Sequence, residues 1–236
     1  MSRIRGALND PLLSVVMPAF NEIRTIEEIV RRVLALPLRT QLIVVDDGST
    51  DGTREALQRL HTELGFTLIL QPRNQGKGAA LRRGFEEVRG DLVVIQDADL
   101  EYSPEEFPML IELICQGRAD VVYGSRFLGR HRVFLFTHYL GNRLLTLITN
   151  VLYNTMLSDM ETCYKVMRTE VLRSMKLESN GFGIEPELTA KIFRRGYRVY
   201  EVPITYDGRG YDEGKKIGWR DGVVALWVLL RYRLGD

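Results

Sequence analysis

Short apolar runs alternate with amphipathic segments along the first half of the chain. Five continuous apolar runs, rich in β-branched residues, predict buried strands: LLSVVMP (12–18), QLIVVDD (41–47), FTLILQ (66–71), DLVVIQ (91–96) and ADVVYGS (119–125). Apolar residues at helical spacing predict helices between and after them, over 25–36, 51–64, 77–88 and 104–116. Strands that are apolar on both faces and alternate with helices predict an α/β fold, with a mostly parallel sheet flanked by helices.

Two of the predicted helices begin with a capping-box pattern. Thr25 precedes Glu28 by three residues, and Ser103 precedes Glu106 with Pro104 at the first helical position. We therefore expect the hydroxyl groups of Thr25 and Ser103 to accept hydrogen bonds from backbone N–H groups of their first turns.

The alternation breaks down from about residue 126. We predict one domain over residues 1–236, in which the second part completes a site and does not fold separately. Its apolar stretch 133–157 is interrupted at 141–143 and predicts a helix buried in the core, with a helix lying on a membrane surface as the alternative. No uncharged apolar run reaches about 18 residues, so we expect no transmembrane helix.

Composition excludes several classes of protein. The chain is 45% apolar and 27% charged, as soluble globular proteins are, and its net charge of +1 gives no electrostatic case for nucleic-acid binding. Two cysteines are too few for a disulfide framework, and the start does not resemble a secretion signal, so we expect a cytoplasmic protein. The three histidines lack zinc-site spacing with the cysteines.

Polar clusters follow three of the predicted strands at the point where each strand ends. They are PAFNE (18–22), DDGSTDG (46–52) and DADLE (97–101). Any one of them can be a solvated turn. Because ligands of open α/β sheets bind beyond the carboxyl ends of the strands, three in a row favour a ligand site.

The acidic cluster at 97–101 is suited to a hard cation. Carboxylates favour Mg²⁺ or Mn²⁺, and Mg²⁺ is usually held by one or two carboxylates together with substrate phosphates. The pattern therefore predicts a metal ion and a diphosphate-bearing substrate. Asp97 and Asp99 would point to opposite sides of a continuing strand, so a turn is needed for both to reach one ion.

Other nucleotide and hydrolase motifs are absent. In NQGKGAA (74–80), Gly78 stands where a P-loop needs Ser or Thr, so Lys77 is either an exposed lysine or a phosphate contact. No G-x-G-x-x-G follows the first strand, and no G-x-S-x-G nucleophile elbow is present.

The ordered motifs resemble the family 2 glycosyltransferases with a GT-A fold. VVMPAFNE, IVVDDGSTDGT, GKGAAL and VVIQDADLEYSPEE are similar above all to the dolichol- and polyprenyl-phosphate sugar synthases. The similarity continues through VYGSRF (122–127), GNRLLT (141–146), DMETCYKV (159–166) and DGRGYDEGKKIGWRDG (207–222), and so covers nearly the whole chain.

This resemblance implies three sets of site residues. The set that would contact the nucleobase, the ribose or the nearby diphosphate comprises Pro18, Phe20, Asn21, Glu22, Asp46, Asp47 and Lys77. The set that would bind the donor diphosphate and an acceptor phosphate comprises Arg126, Arg143, Arg209 and Lys215, since guanidinium groups fit phosphate oxygens in pairs. The set that would hold Mg²⁺ or Mn²⁺ comprises the D-x-D residues Asp97 and Asp99, with Glu101. The candidate catalytic residues are Asp97, Asp99, Arg126 and Asp159.

The implied reaction is inverting, metal-dependent transfer of a single sugar from a UDP- or GDP-linked donor to a polyprenyl phosphate. Residues 1–125 would bind the nucleotide sugar and 126–236 the acceptor. The implied location is the cytoplasm, with peripheral contact at the cytoplasmic membrane face. A second copy or a membrane subunit is an expected partner. An acceptor phosphate is already ionised and needs no general base.

Three alternatives stay open. With a soluble hydroxyl or glycan acceptor, Asp159 would be the base; otherwise it caps a helix or pairs with a cation. A partner subunit could bind the nucleotide sugar without catalysis. Nucleotidyl transfer is disfavoured, because PAFNE lacks a glycine-rich basic loop.

One segment departs from the family pattern, and the last predicted helix has two possible interpretations. DMETCYK (159–165) replaces D-x-T-S-G-F-R and so alters the surroundings of Glu161, Cys163 and Lys165, which leaves the sugar and the acceptor undetermined. The last predicted helix either rests on a bilayer or packs on the core. Its aromatic and basic residues are Trp219, Trp227, Arg231, Tyr232 and Arg233.

Overall fold

The computed structural model describes residues 6–133, 135–208 and 218–235. Its strands are β1 Leu13–Ala19, β2 Thr40–Asp46, β3 Thr67–Leu70, β4 Leu92–Ile95, β5 Val121–Ser125, β6 Lys165–Arg168 and β7 Val199–Pro203. Its helices are α1 Ile26–Leu34, α2 Thr53–Leu64, α3 Lys77–Phe85, α4 Phe107–Cys115, α5 Phe136–Tyr153, α6 Thr169–Arg173, α7 Ile184–Arg194 and α8 Trp219–Leu234, with a 3-10 turn at Pro104–Glu106. The predicted strands and helices of the first half are confirmed.

These strands form one sheet in the order β3-β2-β1-β4-β6-β5-β7. β1 pairs in parallel with both β2 and β4, so that Val16 lies beside Ile43 and Ile95. β6 comes from the second half of the chain and pairs antiparallel with both β4 and β5. The prediction of an α/β domain with a mostly parallel sheet is confirmed, and β6 is an insertion that the alternation of elements did not reveal.

Helices cover the central strands closely. Val15, Val16 and Val44 are fully buried, although neighbours along a strand point to opposite faces of the sheet. Gly84 brings α3 onto the sheet, because a Cβ at this position would lie 2.5 Å from Val16 Cγ1 and 3.2 Å from Val45 Cγ2. Burial on both faces explains why these strands are apolar throughout.

Neither predicted capping box forms. Thr25 Oγ1 makes no cap hydrogen bond and instead donates to the carbonyl oxygen of Ala98 at 2.7 Å. Ser103 Oγ also makes no cap bond and accepts from Arg32 Nη2 at 3.4 Å. In both cases the hydroxyl group is hydrogen-bonded to a partner distant in the sequence. The Thr25 bond attaches the start of α1 to the turn that follows β4.

The prediction that the apolar segment 133–157 is buried is wrong. Thr146 and Thr149 are the buried positions of α5, whereas Leu140 is 56% exposed and Val151 is 75% exposed. α5 packs against α7 and α8 and presents its leucine-rich face outward. None of the described helices combines the length and the apolar character needed to span a bilayer.

α8 divides its aromatic residues between the core and the surface. Val228, Leu229 and Tyr232 are buried, while the side chain of Trp227 is exposed. Of the two alternatives for this helix, packing on the core therefore holds for Val228, Leu229 and Tyr232 but not for Trp227. The side chain of Trp219 lies outside the described residues.

Candidate active site

The three polar strand ends meet at one edge of the sheet. β1 lies between β2 and β4, and all three run in the same direction, so the residues after Ala19, Asp46 and Ile95 come together. Hydrogen bonds join the first two loops: Asn21 N donates to Ser49 Oγ at 3.0 Å, and Thr50 N donates to Asn21 Oδ1 at 2.9 Å. The predicted gathering of these clusters is present.

Pro18, Phe20, Asn21 and Glu22 begin this edge at the end of β1. Pro18 is still paired with β2, beside Val45. Asn21 has a left-handed backbone, with φ of 55°, which turns the chain out of the strand. The backbone N–H of Glu22 donates to Thr53 Oγ1 at 2.9 Å, so the turn is attached to the start of α2. These residues form a fixed wall at this edge of the sheet.

Asp46 and Asp47 shape the neighbouring loops. Asp46 is fully buried, and its Oδ2 accepts from Arg54 Nε at 2.7 Å. Asp47 accepts from the backbone N–H groups of Gln75 and Gly76, both at 2.8 Å. Burial raises the pKa of Asp47, while these two hydrogen bonds act in the opposite direction. Both carboxylates thus hold the loops that border the cleft.

The start of α3 is covered by protein. The backbone N–H of Ala79 donates to the carbonyl oxygen of Asn180 at 2.9 Å, and a Cβ on Gly78 would clash with the carbonyl oxygen of Ser179. The glycines in NQGKGAA therefore admit segment 179–181 rather than a phosphate group. This agrees with the absence of a P-loop.

Lys77 reaches the acidic cluster from the start of α3. Its Nζ lies 2.8 Å from Asp97 Oδ1 and 3.3 Å from Glu185 Oε1, and its side chain is only 14% exposed. Burial opposes the charge, but the carboxylates of Asp97 and Glu185 hold the Lys77 pKa well above its usual value. The interpretation of Lys77 as an exposed lysine is wrong.

The D-x-D segment forms a turn, as required for both aspartates to serve one site. β4 ends at Ile95, and Leu100 has a left-handed backbone with φ of 62°. Asp99 Oδ1 accepts from the backbone N–H of Glu101 at 3.2 Å, while Glu101 Oε2 accepts from the hydroxyl of Tyr206 at 2.6 Å. Repulsion between the acids is thus reduced by Lys77 and by hydrogen bonds.

These oxygens fit a metal ion that is shared with substrate phosphates. Among the described residues, no three His, Cys, Asp or Glu side chains gather as a ready-made cation site. The predicted set of Asp97, Asp99 and Glu101 is therefore not assembled by the protein alone. Two carboxylates on one turn suit Mg²⁺ or Mn²⁺ when phosphate oxygens complete the coordination.

Arg126 and Asp159 form a buried pair beside this turn. Asp159 Oδ2 accepts from Arg126 Nε at 2.7 Å and from its backbone N–H at 3.0 Å, and Oδ1 accepts from Nη2 at 2.7 Å. Burial opposes the charge on Arg126, but Asp159 keeps its pKa well above the usual value. Both oxygens of Asp159 are thus engaged by Arg126, which is the pairing with a cation that was the alternative to a base.

Arg143 joins Arg126 from α5. The two guanidinium carbons lie 5.8 Å and 5.9 Å from the ring centre of Phe127, and Arg143 Nη1 donates to the carbonyl oxygen of Ser158 at 3.3 Å. Arg126 also lies 5.2 Å from the ring of Tyr206, whose hydroxyl reaches Glu101. Tyr206 therefore connects the basic group to the acidic turn, and we call the region between these two groups the cleft. Arg209 and Lys215 lie outside the described residues.

Three carboxylates of this region have no role in the prediction from sequence: Glu185 is buried, and Glu161 and Glu201 are partly exposed. Glu185 Oε2 lies 2.6 Å from Lys165 Nζ, and Glu201 accepts from the backbone N–H groups of Ser158 and Asp159. Burial raises the pKa of Glu161 to about 7. A carboxylate in an apolar segment was the available signal, since glutamate is seldom buried without a partner or a function.

The fold and this edge define a class: an α/β protein with an acidic turn and a basic cluster at the carboxyl ends of its strands. Glucosyl-3-phosphoglycerate synthase from Mycobacterium tuberculosis, solved in complex with Mn²⁺, uridine diphosphate and phosphoglyceric acid, has this fold. Its TM-score is 0.75 at 23% identity, over 96% of this chain and 80% of that one. Another structure of the same enzyme gives 0.70 at 25% identity, over 96% and 82% of the two chains.

The sequence profile of glycosyl transferase family 2 matches residues 14–175, and the chain belongs to this family. It is 32% identical to a dolichol-phosphate mannosyltransferase from Pyrococcus furiosus, over 87% of this chain and 59% of the relative. It is 30% identical to an undecaprenyl-phosphate mannosyltransferase from Micrococcus luteus, over 93% and 98%. A third relative is the low-salt glycan biosynthesis hexosyltransferase Agl6 from Haloferax volcanii, 33% identical over 89% and 52%. The chain thus spans only 52% to 59% of the length of two of these relatives.

Proposed function

We propose that this chain transfers one sugar, with inversion, from a nucleotide diphosphate sugar to a polyprenyl phosphate. The observation that carries the proposal is the link between the acidic turn and the basic cluster: Tyr206 donates to Glu101, and its ring lies 5.2 Å from the guanidinium carbon of Arg126. Relatives that bear the names dolichol-phosphate and undecaprenyl-phosphate mannosyltransferase support the same acceptor class. Residues 1–125 then supply the donor half and 126–236 the acceptor half.

On the donor side, Asp97 and Asp99 would hold Mg²⁺ or Mn²⁺ together with the diphosphate. When bound, the ion neutralises charge that develops on the leaving diphosphate. Lys77 adds a second positive charge at the same place. The wall formed by Pro18, Phe20, Asn21 and Glu22 receives the nucleoside, with the loops held by Asp46 and Asp47 beside it.

On the acceptor side, Arg126 presents its guanidinium to the acceptor phosphate. Asp159 fixes this guanidinium before the substrate arrives, which reduces the ordering cost of phosphate binding. An acceptor phosphate oxygen forms the new bond to the anomeric carbon as the bond to the diphosphate breaks, which inverts the configuration. The pairing of Asp159 with Arg126 favours this acceptor over a hydroxyl group, which would require a base.

The surface beside this cleft suits a lipid. We define the α5–α8 apolar surface by Leu140, Leu144, Leu147 and Val151 of α5 with Trp227 of α8, all of them exposed. Segment 126–158 contains arginines and histidines but no Asp or Glu. An apolar surface with basic flanks is complementary to an anionic bilayer. We therefore propose that this surface rests on the membrane and brings the acceptor phosphate to Arg126.

Donor binding tests the first part of the proposal. We expect GDP-mannose, UDP-glucose or UDP-N-acetylglucosamine to bind in calorimetry when Mn²⁺ is present, and to bind at least tenfold more weakly to Asp99→Asn. Asp91→Asn is the matched control, because Asp91 precedes the same strand at its opposite end, where it accepts from Leu12 N at 2.9 Å. Equal donor affinity in wild type and Asp99→Asn would exclude this metal site.

Acceptor choice tests the second part. With the donor that binds, we expect transfer of labelled sugar to undecaprenyl phosphate and none to undecaprenol, measured by extraction into organic solvent. Arg126→Lys should weaken use of the lipid phosphate, because lysine cannot form the paired hydrogen bonds of a guanidinium. Transfer to undecaprenol, or to water-soluble hydroxyl acceptors alone, would rule out the phosphate acceptor.

Flotation with vesicles tests the membrane surface. We expect wild-type protein to float with phosphatidylglycerol vesicles, and the double variant Leu144→Glu/Leu147→Glu to remain in the soluble fraction. Leu70→Glu is the control, because Leu70 is exposed on β3, outside this surface. Flotation of the double variant to the same extent as the control would contradict the proposed surface.

A further inference from the structure

The loop between α5 and β6 is attached to the cleft on both sides of Glu161. Before it, Asp159 is paired with Arg126, and the backbone N–H of Met160 donates to Thr146 Oγ1 at 3.2 Å. After it, Thr162 Oγ1 donates to the carbonyl oxygen of Gly124 at 2.6 Å. The backbone at Glu161 is therefore held in place, so its side chain projects from a rigid support.

One carboxylate oxygen of Glu161 lacks the hydrogen-bond partner that a buried oxygen needs. Its Oε1 is buried, and the described residues offer it no hydrogen bond. The residue as a whole is partly exposed. An unpartnered buried polar atom is costly, and in a cleft it indicates a group that awaits a ligand.

The charges around Glu161 locate it between the two sides of the cleft. On one side of it in the chain, Asp159 pairs with Arg126. On the other side, the carbonyl oxygen of Thr162 accepts from Lys165 Nζ, which pairs with Glu185, and Glu185 lies 3.3 Å from Lys77 Nζ. A transferred sugar is attached first to the donor diphosphate and then to the acceptor phosphate. It must therefore lie between these two groups, where Glu161 is.

We propose that Glu161 accepts hydrogen bonds from hydroxyl groups of the transferred sugar and so determines donor specificity. The inference rests on the proposed function and adds the residue that distinguishes the sugar from the rest of the donor. A carboxylate accepts from hydroxyl donors and repels phosphate oxygens, so the neutral sugar is the part of the donor that it suits.

The test compares donors with and without the sugar. The probes are the nucleotide sugar that binds wild type, taken from GDP-mannose, UDP-glucose and UDP-N-acetylglucosamine, and the matching free nucleoside diphosphate, each with Mn²⁺. We expect Glu161→Ala to weaken binding of the nucleotide sugar by about 10- to 100-fold, as for the loss of a hydrogen bond to a charged group. Binding of the nucleoside diphosphate should change less than about twofold. Glu161→Gln retains a carbonyl acceptor and should lose less.

Glu106→Ala is the matched control. Glu106 also has a buried oxygen without a partner, and its other oxygen accepts from Thr205 N at 2.8 Å. Because we assign Glu106 no donor contact, its replacement should affect the nucleotide sugar and the nucleoside diphosphate equally.

Three results would overturn the inference. Equal losses for both probes in Glu161→Ala would mean a structural role, and unchanged affinities for both would exclude a sugar contact. Lost turnover in Glu161→Gln with unchanged donor affinity would indicate proton transfer. If wild type bound none of the three donors, the proposed function itself would fail, and that result is read before any Glu161 variant is made.

Discussion

Replacing Asp159 with Asn tests whether this residue positions Arg126 or acts as a base. The substitution keeps the size of the side chain and removes its charge. One asparagine oxygen can still accept from the Arg126 backbone N–H, but the new amide NH₂ faces a guanidinium N–H. Arg126 then remains buried, with a side chain only 9% exposed and no ionised partner.

The expected cost follows from this geometry. Breaking a buried ion pair by removal of one partner costs about 3–5 kcal/mol, because the other charge stays desolvated. With a urea m-value of about 3 kcal/mol/M for a chain of this size, the unfolding midpoint should fall by about 1–1.7 M. Arg126→Met/Asp159→Asn should be more stable than Asp159→Asn alone, since no unpaired charge remains.

The assay is urea unfolding of wild type, both single variants and the double variant, followed by circular dichroism. Transfer to undecaprenyl phosphate is measured on the same four proteins without urea, at a temperature at which all four are folded. The positioning role is wrong if Asp159→Asn is within about 1 kcal/mol of wild type. A base role would be indicated if this variant were stable but inactive toward hydroxyl acceptors only.

Three further predictions concern the pH, the metal and the packing. Burial raises the pKa of Glu161 from 4.5 to about 7, so the folded state binds this proton more tightly than the unfolded state. The stability that the protonated carboxyl group contributes is therefore lost as the pH rises from 4.5 to 7. Glu161→Gln should therefore gain up to about 3 kcal/mol over wild type between pH 5 and pH 8, and an equal difference at both pH values in urea unfolding would contradict this. Lys77→Met should bind Mn²⁺ several-fold more tightly without nucleotide, because Asp97 loses its competing cation, and weaker Mn²⁺ binding in calorimetry would count against it. Gly84→Ala should destabilise the folded protein by about 1–3 kcal/mol, because the new methyl group would contact Val16. Gly141→Ala lies in a helix and meets open space, so it should stabilise the protein by about 1 kcal/mol. Equal thermal midpoints for the two variants would refute the close packing of α3.

The sequence by itself determined the layered fold and the location of the site. The runs at 12–18, 41–47 and 91–96 are apolar because helices cover both faces of the central strands. A continuous apolar run of this length therefore indicates a strand buried on both faces. Parallel strands end at the same edge, and the polar clusters after β1, β2 and β4 could therefore be expected to meet.

Only the tertiary structure decided which polar groups pair. The sequence around Thr25 and Ser103 predicts helix caps, yet their hydroxyl groups are hydrogen-bonded to Ala98 and Arg32, which are distant in the sequence. The ion pair of Lys77 with Asp97 joins residues on separate elements. Such pairings depend on where the backbone brings atoms within about 3 Å, and a one-dimensional pattern does not contain that distance.

The same reason explains α5. Its leucines have the composition of a core helix, and composition does not state which face meets the protein. α5 packs against α7 and α8. Thr146 and Thr149 are buried, and Leu140, Leu144 and Leu147 are left on the outside. Periodicity along the chain therefore determined that a helix forms here, while the contacts between helices determined which side of it the protein buries.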